Sequence, residues 1–271
     1  MNGLPWNFKR IKEDNKRKIE VYMRRFFIAP ENITGSSAIL AGPEARHIST
    51  VLRLTTGITI ILFDGSGSYY EAVLTKISPS RVETKIVSIF PYIETAEDFH
   101  PTLHLAIGLL KGKKMDFIIQ KITELGVAGL HPFRSRFCIA QDHVDSRLSR
   151  WQKIALEACK QCNRPRPPVI DPSKDLEELL STSGENDYDL KLIFWETKEG
   201  QKSLREIFAP LKNVQSVMSI IGPEGGFSTD EVRQARDAGY EPVTMGSRIL
   251  RAETAAISAV SILQHELGNL T

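Results

Sequence analysis

The sequence predicts an α/β fold with a mainly parallel sheet, preceded by a smaller all-β domain. From about residue 103, short apolar runs alternate with helical patterns, as they do in parallel α/β proteins. Two of these runs, in Ile220–Ser228 and Met245–Thr254, lead through glycine-containing turns into predicted helices. Before residue 95, closely spaced strand patterns are separated by turns, which is typical of a small barrel. The length of 271 residues accommodates both domains.

Composition indicates an ordinary globular chain. Hydrophobic residues make up 41%, charged residues 25%, and the net charge is +2. No apolar run approaches the roughly 18 residues of a membrane span, and the N-terminus lacks the apolar core of a secretory signal. We therefore expect a cytoplasmic protein without a membrane partner.

Cysteine and histidine usage predicts no metal site. The odd count of three cysteines indicates free thiols. Cys159 and Cys162 form a C-x-x-C pair inside a helical pattern, with no second ligand pair nearby, and the six histidines are scattered. Zinc needs about four ligands, so we expect no metal.

Positive charge is concentrated in two places. Residues 1–25 contain eight Lys or Arg against three Asp or Glu, and a second basic zone runs from Arg134 to Arg166. Local basic zones on a nearly neutral chain favour a polyanionic partner held at chosen places. The alternative is two solvated charged faces.

The first 100 residues divide into a leader, a β-rich segment and a linker. Residues 1–22 are polar with little periodicity and are predicted to be a flexible basic leader, which makes Met23 a candidate initiator. Residues 23–95 are predicted to form the barrel, and Pro91–Pro101 the linker. Within the barrel we expect one helix, Glu44–Leu52, and the strands Met23–Ile28, Ile58–Phe63, Tyr69–Leu74 and Val82–Val87.

The α/β domain is predicted over residues 100–271, with helices on both faces of its sheet. Its first helix carries Met115, Ile118, Ile119 and Ile122 on one face and is ended by Gly126. The other expected elements are a helix over Arg147–Gln161 and the strands Leu103–Leu110, Leu190–Trp195, Val217–Ile221 and Pro242–Met245.

The helix after the first glycine turn has a well-marked beginning. Ser228 is a predicted N-cap with Glu231 as its capping-box partner, Phe227 and Val232 can form a hydrophobic staple, and Gly239 ends the helix. The loop before it, 222–227, therefore presents free backbone N–H groups to a ligand. Neither glycine turn carries a phosphate-binding motif, so we expect a nonphosphate ligand.

The second turn carries Arg251 and Glu253 just before the last helix. Glu253 at a helix start can simply complement the helix dipole. Arg251 is electrostatically misplaced there, which favours a role toward a ligand or an anionic substrate. Farther along that helix, apolar residues at helical spacing can serve either core packing or a dimer face: Ile257, Val260, Leu263 and Leu267.

Several sequence blocks, in the same order along the chain, closely resemble those of the RsmE family of 16S ribosomal RNA uridine-N3 methyltransferases, within the SPOUT class. The resemblance covers Met23 to about Leu267. It rests on Met23–Phe27, His47 with Val51–Arg53, Lys121–Gly126, Glu157 with Gln161 and Arg164, Gly222–Gly226 and Ile249–Ala255. Cys162 and Asn163 depart from the small residues expected between Gln161 and Arg164.

The resemblance implies a PUA-like barrel followed by an α/β domain with a deep trefoil knot. It also implies a homodimer, S-adenosylmethionine as methyl donor, and 16S rRNA within the small ribosomal subunit as substrate. The methylated atom would be N3 of the decoding-site uridine near the 3′ end of that RNA. Two alternatives are a SPOUT enzyme with another RNA target and a noncatalytic RNA-binding relative.

Together, the motifs and the resemblance imply roles for individual residues. Arg251 is expected to stabilise the negative charge on the uracil oxygens, and either Glu253 or Glu224 to receive the N3 proton. The RNA backbone is expected to contact Arg24, Arg25, Arg53, Arg136 and Arg164. The methyl donor is expected to contact Phe194, Trp195, Glu196, Ile221, Gly222, Pro223, Gly225, Met245, Gly246, Ile249 and Leu250.

Overall fold

The structure is a computed structural model that describes residues 7–14, 17–91, 101–138, 145–162, 164–185, 188–196, 202–211 and 213–270. The chain divides into two compact units. The first is Met1–Glu94 together with Cys159–Arg166, and the second is Thr95–Ala158 with Pro167–Thr271. The segment Cys159–Arg166 thus groups with the first unit, which its position in the sequence did not predict.

The first unit is built on a seven-stranded sheet with the order β1-β2-β5-β6-β7-β4-β3. Its strands are β1 (Asn7–Asp14), β2 (Arg17–Phe27), β3 (Ile33–Thr34), β4 (Ser37–Ala41), β5 (Thr59–Phe63), β6 (Ser68–Ile77) and β7 (Arg81–Pro91). All neighbours pair antiparallel except β2 and β5. The predicted helix is present as α1 (Gly42–Arg46) and a π-helical turn, His47–Val51. Its buried Ile48 packs with Phe26, Leu40 and Leu62 in the core of this unit.

The structure differs from the expected leader. Residues 7–14 form β1, which pairs with the first part of β2 from Asp14↔Arg17 to Asn7↔Arg24. The period-two alternation of Ile19, Val21 and Met23 with polar residues fits a strand, and the sequence interpretation gave it too little weight. Most of the expected linker, residues 92–100, lies outside the described residues.

The second unit alternates strands and helices, as predicted. Its strands are β8 (Thr102–Gly108), β9 (Gly129–Arg134), β10 (Val169–Ile170), β11 (Lys174–Asp175), β12 (Leu190–Phe194), β13 (Lys202–Ser203), β14 (Ser216–Ile221) and β15 (Glu241–Thr244). Its helices are α2 (Lys114–Glu124), α3 (Asp145–Cys162, whose last turn groups with the first unit), α4 (Leu176–Glu185), α5 (Leu204–Phe208), α6 (Thr229–Asp237) and α7 (Ala252–Glu266).

These strands form one sheet in which every pairing is parallel, with the order β10-β9-β8-β14-β12-β15-β13 and β11 beside β9. Alternate residues of β8 and β14 point to opposite faces. Leu105 and Val217 pack with residues of α2 and α7, whereas Ala106 and Met218 pack with residues of α4 and α6. The prediction of a parallel sheet covered by helices on both faces is confirmed.

Within the described part of the chain, we find no helix that combines the length and apolar character required to cross a bilayer. The apolar residues of the long helix α3, such as Trp151 and Ala155, are instead buried in the core beside the sheet.

Candidate functional site

A pocket of about 350 Å³ opens at the carboxyl ends of three neighbouring parallel strands, β14, β12 and β15. Phe194 ends β12, Ile221 ends β14 and Thr244 ends β15, and all three line it. Ligand sites of open α/β sheets lie at this edge, because the loops that follow adjacent strands converge there. Both glycine turns predicted from the sequence therefore meet in one cavity.

The loop 222–227 is fixed at its end by the capping box of α6. The Ser228 N–H and hydroxyl donate to Glu231 Oε2 at 2.8 and 2.9 Å, and the Ser228 Oγ accepts from the Glu231 N–H at 3.4 Å. Glu231 is only 8% exposed. Phe227 and Val232 are buried in the same cluster, as the staple predicts. The predicted capping box is confirmed.

Gly225 is required by close packing, and Gly226 is favoured by its backbone conformation. A Cβ at Gly225 would lie 2.6 Å from Phe137 Cβ, and one at Gly226 would lie 2.9 Å from Glu196 Oε1. Gly226 also has φ = +68°, a conformation that L side chains rarely adopt. Gly225 was expected to contact the methyl donor, but it packs against Phe137 and is absent from the described pocket lining, whereas Gly226 is part of that lining.

The second glycine turn forms the opposite wall. It contributes Met245, Gly246, Ile249 and Leu250, of which Ile249 is 87% exposed. Arg251 follows as the exposed N-cap residue of α7, and its side chain makes no capping hydrogen bond. Ser, Thr, Asn and Asp are favoured at that position. Arg251 therefore lines the pocket without capping α7 through its side chain.

A Lys–Glu–Glu cluster stands at the pocket. Lys114 Nζ lies 3.1 Å from Glu224 Oε1 and 3.5 Å from Glu253 Oε2. Glu224 Oε1 also accepts a hydrogen bond from the Lys111 N–H at 3.2 Å. Burial raises the pKa of Glu224, but the hydrogen bonds from Lys114 and the backbone outweigh it and lower the pKa below its ordinary value. The hydrogen bond to Glu224 and the nearby Glu253 raise the pKa of Lys114.

Most residues expected at the donor site line this pocket. They are Phe194, Trp195, Glu196, Ile221, Gly222, Pro223, Met245, Gly246, Ile249 and Leu250, joined by Glu224 and Arg251. Glu253 is absent from the described lining but contacts Lys114, which is part of it. Among the polar side chains of the lining, sequence reasoning missed Lys114, Thr244 and Arg248. Lys114 had a signal: it follows the end of β8, which neighbours β14 in the sheet.

The five arginines that were expected to contact RNA differ in how exposed their side chains are. Arg53 and Arg136 are exposed, and Arg24 and Arg164 are partly buried. Arg25 is only 7% exposed. Its guanidinium lies 4.0 Å from the centroid of the Phe63 ring, and its Nη2 donates to the Arg164 carbonyl at 2.9 Å. Arg25 is thus part of the interior of the first unit, because its stem and planar head pack on aromatic rings. Its contact with RNA stays a prediction, and its side chain is buried against the Phe63 ring.

The other arginines differ from Arg25. Arg164 is partly buried, and burial lowers the pKa of its guanidinium. Arg53 has φ = +49°, a conformation uncommon outside glycine, in the loop after the π-helical turn. Arg136 has its guanidinium 5.7 Å from the Phe137 ring centroid, close to the loop that carries Gly225. The exposed pair Arg53 and Arg136 therefore remains available to a polyanion.

A second polar cluster lies away from the pocket. His104 Nδ1 is 3.1 Å from His131 Nε2, and His131 Nδ1 is 2.8 Å from Asp171 Oδ2. Tyr188 packs edge-on against His104, with ring centroids 5.2 Å apart. Burial, reinforced by His131, lowers the pKa of His104 to about 4. Within the described residues, no group of three or more His, Cys, Asp or Glu side chains could hold a metal ion.

Two family models match the chain. An RNA methyltransferase domain matches residues 98–264, and an RNA methyltransferase PUA domain matches residues 40–87. The first match covers most of the second unit, including its pocket, and the second lies within the first unit.

Curated relatives share nearly the whole length. A ribosomal RNA small subunit methyltransferase E of Buchnera aphidicola is 29% identical over 250 residues, which cover 90% of this chain and 94% of the relative. The protein of the same name in Mesomycoplasma hyopneumoniae is 30% identical over 237 residues, 87% of this chain and 96% of the relative.

Solved structures give the same similarity. Ribosomal RNA small subunit methyltransferase E of Neisseria gonorrhoeae, bound to S-adenosyl methionine, is 32% identical with a TM-score of 0.69, over 90% of this chain and 97% of that one. A putative methyltransferase of Legionella pneumophila in complex with the bound cofactor SAM is 30% identical with a TM-score of 0.72, over 90% and 98% of the two chains.

Proposed function

Because the chain belongs to the RNA methyltransferase family, in its ribosomal small-subunit branch, we propose that it methylates N3 of the decoding-site uridine near the 3′ end of 16S rRNA. The methyl donor is S-adenosylmethionine, and the substrate is the assembled small ribosomal subunit. The observation that carries the proposal is the pocket at the ends of β14, β12 and β15, where apolar walls meet Arg251, Glu224 and Lys114.

The pocket fits this donor. Its volume lies in the range of about 300–1,000 Å³ that is typical of small-molecule sites. Ile221, Met245 and Leu250 offer apolar contacts for an adenosine, and the backbone of the two glycine turns offers hydrogen-bonding groups. Glu196 and Glu224 add negative charge suited to a sulfonium. When bound, the donor supplies an electrophilic methyl group, so the chain itself must supply acid–base groups and orientation.

Uracil N3 carries a weakly acidic proton, and its methylation requires that this proton be removed. Negative charge then develops on N3 and on the two flanking oxygens. Arg251, exposed at the pocket beside the first turn of α7, is placed to stabilise those oxygens. Glu224 and Glu253, both within reach of Lys114, are the carboxylates that we propose to receive the proton.

The rest of the proposal concerns binding and assembly. The first unit and the exposed Arg53 and Arg136 bind the RNA backbone, while Arg24 and Arg164 contribute from partly buried positions. We propose that the chain acts as a cytoplasmic homodimer; the apolar stripe of α7 is not its face, because Val260 and Leu263 are fully buried in the core of the second unit. The trefoil knot is the chain path that we propose for the second unit.

The decisive experiment compares two RNA substrates. Purified protein and isotopically labelled S-adenosylmethionine are incubated with small ribosomal subunits that lack the modification and, separately, with transfer RNA. The methylated nucleoside is then identified by mass spectrometry after digestion, and its position is mapped on the RNA. We expect 3-methyluridine at the decoding site of the small subunit.

Methylation of transfer RNA alone, or of a ribose hydroxyl, would identify a different specificity within the same class. Donor binding by calorimetry without transfer to either RNA, or no donor binding at all, would instead indicate a noncatalytic relative.

A further inference from the structure

We propose that Lys114 gives its two carboxylate partners, Glu224 and Glu253, different tasks. It fixes Glu224, which acts as a positioning residue, and leaves Glu253 as the catalytic residue that accepts the proton of uracil N3. This inference rests on the proposed function and deepens it, because the family match assigns neither carboxylate a role.

Glu224 is held in place from two directions. Its Oε1 accepts the Lys111 N–H at 3.2 Å and the Lys114 ammonium at 3.1 Å. Lys111 lies between β8 and α2 and Lys114 is the first residue of α2, whereas Glu224 belongs to the loop after β14. Its contacts therefore join the loops that follow two adjacent strands. An oxygen that already accepts two hydrogen bonds gains little from accepting a proton, since protonation would weaken both bonds.

The electrostatics agree with this geometry. The contacts of Glu224 lower its pKa, despite the opposing effect of burial, so it stays ionised and is a weak base at neutral pH. A carboxylate with these properties is suited to holding two loops together and to fixing the ammonium group of Lys114.

Glu253 is less restrained. Its Oε2 is 3.5 Å from Lys114 Nζ, 0.4 Å longer than the contact of Lys114 with Glu224. This oxygen is buried, and its contact with the Lys114 ammonium is longer than a normal hydrogen bond. The Glu253 side chain is 18% exposed and stands in the first turn of α7, two residues after Arg251. The proposed proton acceptor, Glu253, and the proposed anion-stabilising group, Arg251, therefore both lie at the N-terminus of α7.

The proton transfer balances. The N3–H bond of uracil breaks, its proton moves to the Glu253 carboxylate, and its electron pair stays on N3. N3 then bonds to the methyl carbon as the carbon–sulfur bond breaks, and the sulfur keeps that electron pair. Before the transfer, Lys114 with Glu224 and Glu253 has a net charge of −1, and afterwards it is neutral. The positive charge of Lys114 orients Glu253 throughout.

The test measures single-turnover methylation of small subunits together with donor affinity by calorimetry. Glu253→Gln should reduce the rate about 10²–10⁴-fold, because it removes the proton acceptor, while donor affinity is kept. Glu224→Gln retains a carbonyl oxygen that can accept both hydrogen bonds, so its rate should fall by at most about tenfold.

Lys114 is tested by a conservative pair of variants. Lys114→Met should lower kcat about 10²-fold with little change in KM for the subunit, because both carboxylates lose their orientation. Lys114→Arg should recover most of that loss, since it restores a cation. The adjacent, exposed Lys113→Met is the matched control and should behave like the unmodified protein.

Two outcomes would overturn the inference while the proposed function stands. In the first, the unmodified protein forms 3-methyluridine, but Glu224→Gln lowers the methylation rate as much as Glu253→Gln does. In the second, the Lys114→Met variant has the same kcat as the unmodified protein. Failure of the unmodified protein to methylate uracil N3 would instead sink the proposed function itself.

Discussion

Glu231 Oε1 accepts a hydrogen bond from the Arg136 N–H at 2.8 Å, across 95 residues of sequence. The other oxygen of the same carboxylate accepts from the N–H and the hydroxyl of Ser228. One buried side chain therefore caps α6 and anchors the segment after β9 against the loop that carries Gly225. The pocket wall depends on this three-way contact, although Glu231 is absent from its described lining.

Glu231→Ala should destabilise the protein by about 2–4 kcal/mol, since it removes a cap and leaves the partly buried Arg136 N–H without its acceptor. Denaturant unfolding measures this change. Glu206 provides the control because it forms the same capping box with Ser203 on α5, but it is exposed. Glu206→Ala should cost about 0.5–1 kcal/mol. Equal costs in the two variants would contradict a special role for Glu231.

Gly225→Ala should lower both stability and donor affinity. The new Cβ would lie 2.6 Å from Phe137 Cβ and 3.0 Å from its carbonyl oxygen, so the loop must move. Overpacking of this kind costs about 1–3 kcal/mol. Thermal unfolding and calorimetry with S-adenosylmethionine measure the two effects, and Gly225→Val should be worse than Gly225→Ala. If Gly225→Ala changes neither the unfolding temperature nor the donor affinity, the loop can accommodate a Cβ at this position and the prediction is wrong.

Arg251→Ala should slow single-turnover methylation about 10²–10³-fold with donor affinity retained, because the guanidinium acts on charge that appears only during proton removal. Arg233→Ala is the control, since Arg233 is exposed on α6 and pairs with Asp230. If Arg251→Ala instead weakens donor binding and leaves the rate of bound protein unchanged, Arg251 belongs to the donor site.

Stability should fall as the pH drops from about 6.5 to about 4. The pKa of His104 is about 4 in the folded protein, below its ordinary value of 6.5, because burial and His131 disfavour the charged ring. The unfolded chain therefore binds more protons in this window, and acid favours unfolding. The loss should be on the order of 1–3 kcal/mol.

His104→Asn should flatten this part of the curve of unfolding free energy against pH. His131, Asp171 and Tyr188 face His104 and stay in place in that variant. The exposed His265 supplies the control, because His265→Asn should leave the slope unchanged. An identical slope in His104→Asn and the unmodified protein would assign the acid sensitivity elsewhere.

Arg25→Ala should destabilise the protein by about 2–4 kcal/mol, because Arg25 stacks on Phe63 and bonds to the Arg164 carbonyl. Once stability is accounted for, the salt dependence of RNA binding should be unchanged. Arg53→Ala is the opposite case: it should keep stability and reduce the slope of log affinity against log salt by about 0.7–0.9. A reduced slope in Arg25→Ala would restore Arg25 to the RNA contacts.

Much of the fold could be predicted from local patterns in the sequence. The apolar spacing of Met115, Ile118 and Ile122 predicted α2, and the Ser228–Glu231 box predicted the start of α6, because both depend on residues three or four apart. The parallel sheet followed from the alternation of such elements. The glycine turns met in one pocket because the carboxyl ends of neighbouring parallel strands share an edge.

Side-chain partners distant in sequence were not predictable in this way. Lys114 meets Glu224 across 110 positions, and Arg25 meets the Arg164 carbonyl across 139. No periodicity encodes such contacts, because they depend on how whole elements pack. Charge alone made Arg25 a candidate for RNA, whereas packing between rings decided its place. The same limit left the choice between Glu224 and Glu253 open, because their distances to Lys114 depend on packing between distant segments.

The central pairing of the second sheet has a consequence for biosynthesis. β8 lies beside β14, and Thr102 pairs with Ser216, 114 positions further along the chain. Such a distant closure is entropically costly and forms late in folding. Because the ends of β12, β14 and β15 build the pocket, a partly synthesised chain has no donor site. Ligand at a hundred times its Kd stabilises a folded protein by about 2.7 kcal/mol. The supply of methyl donor should therefore also set how much finished enzyme survives proteolysis.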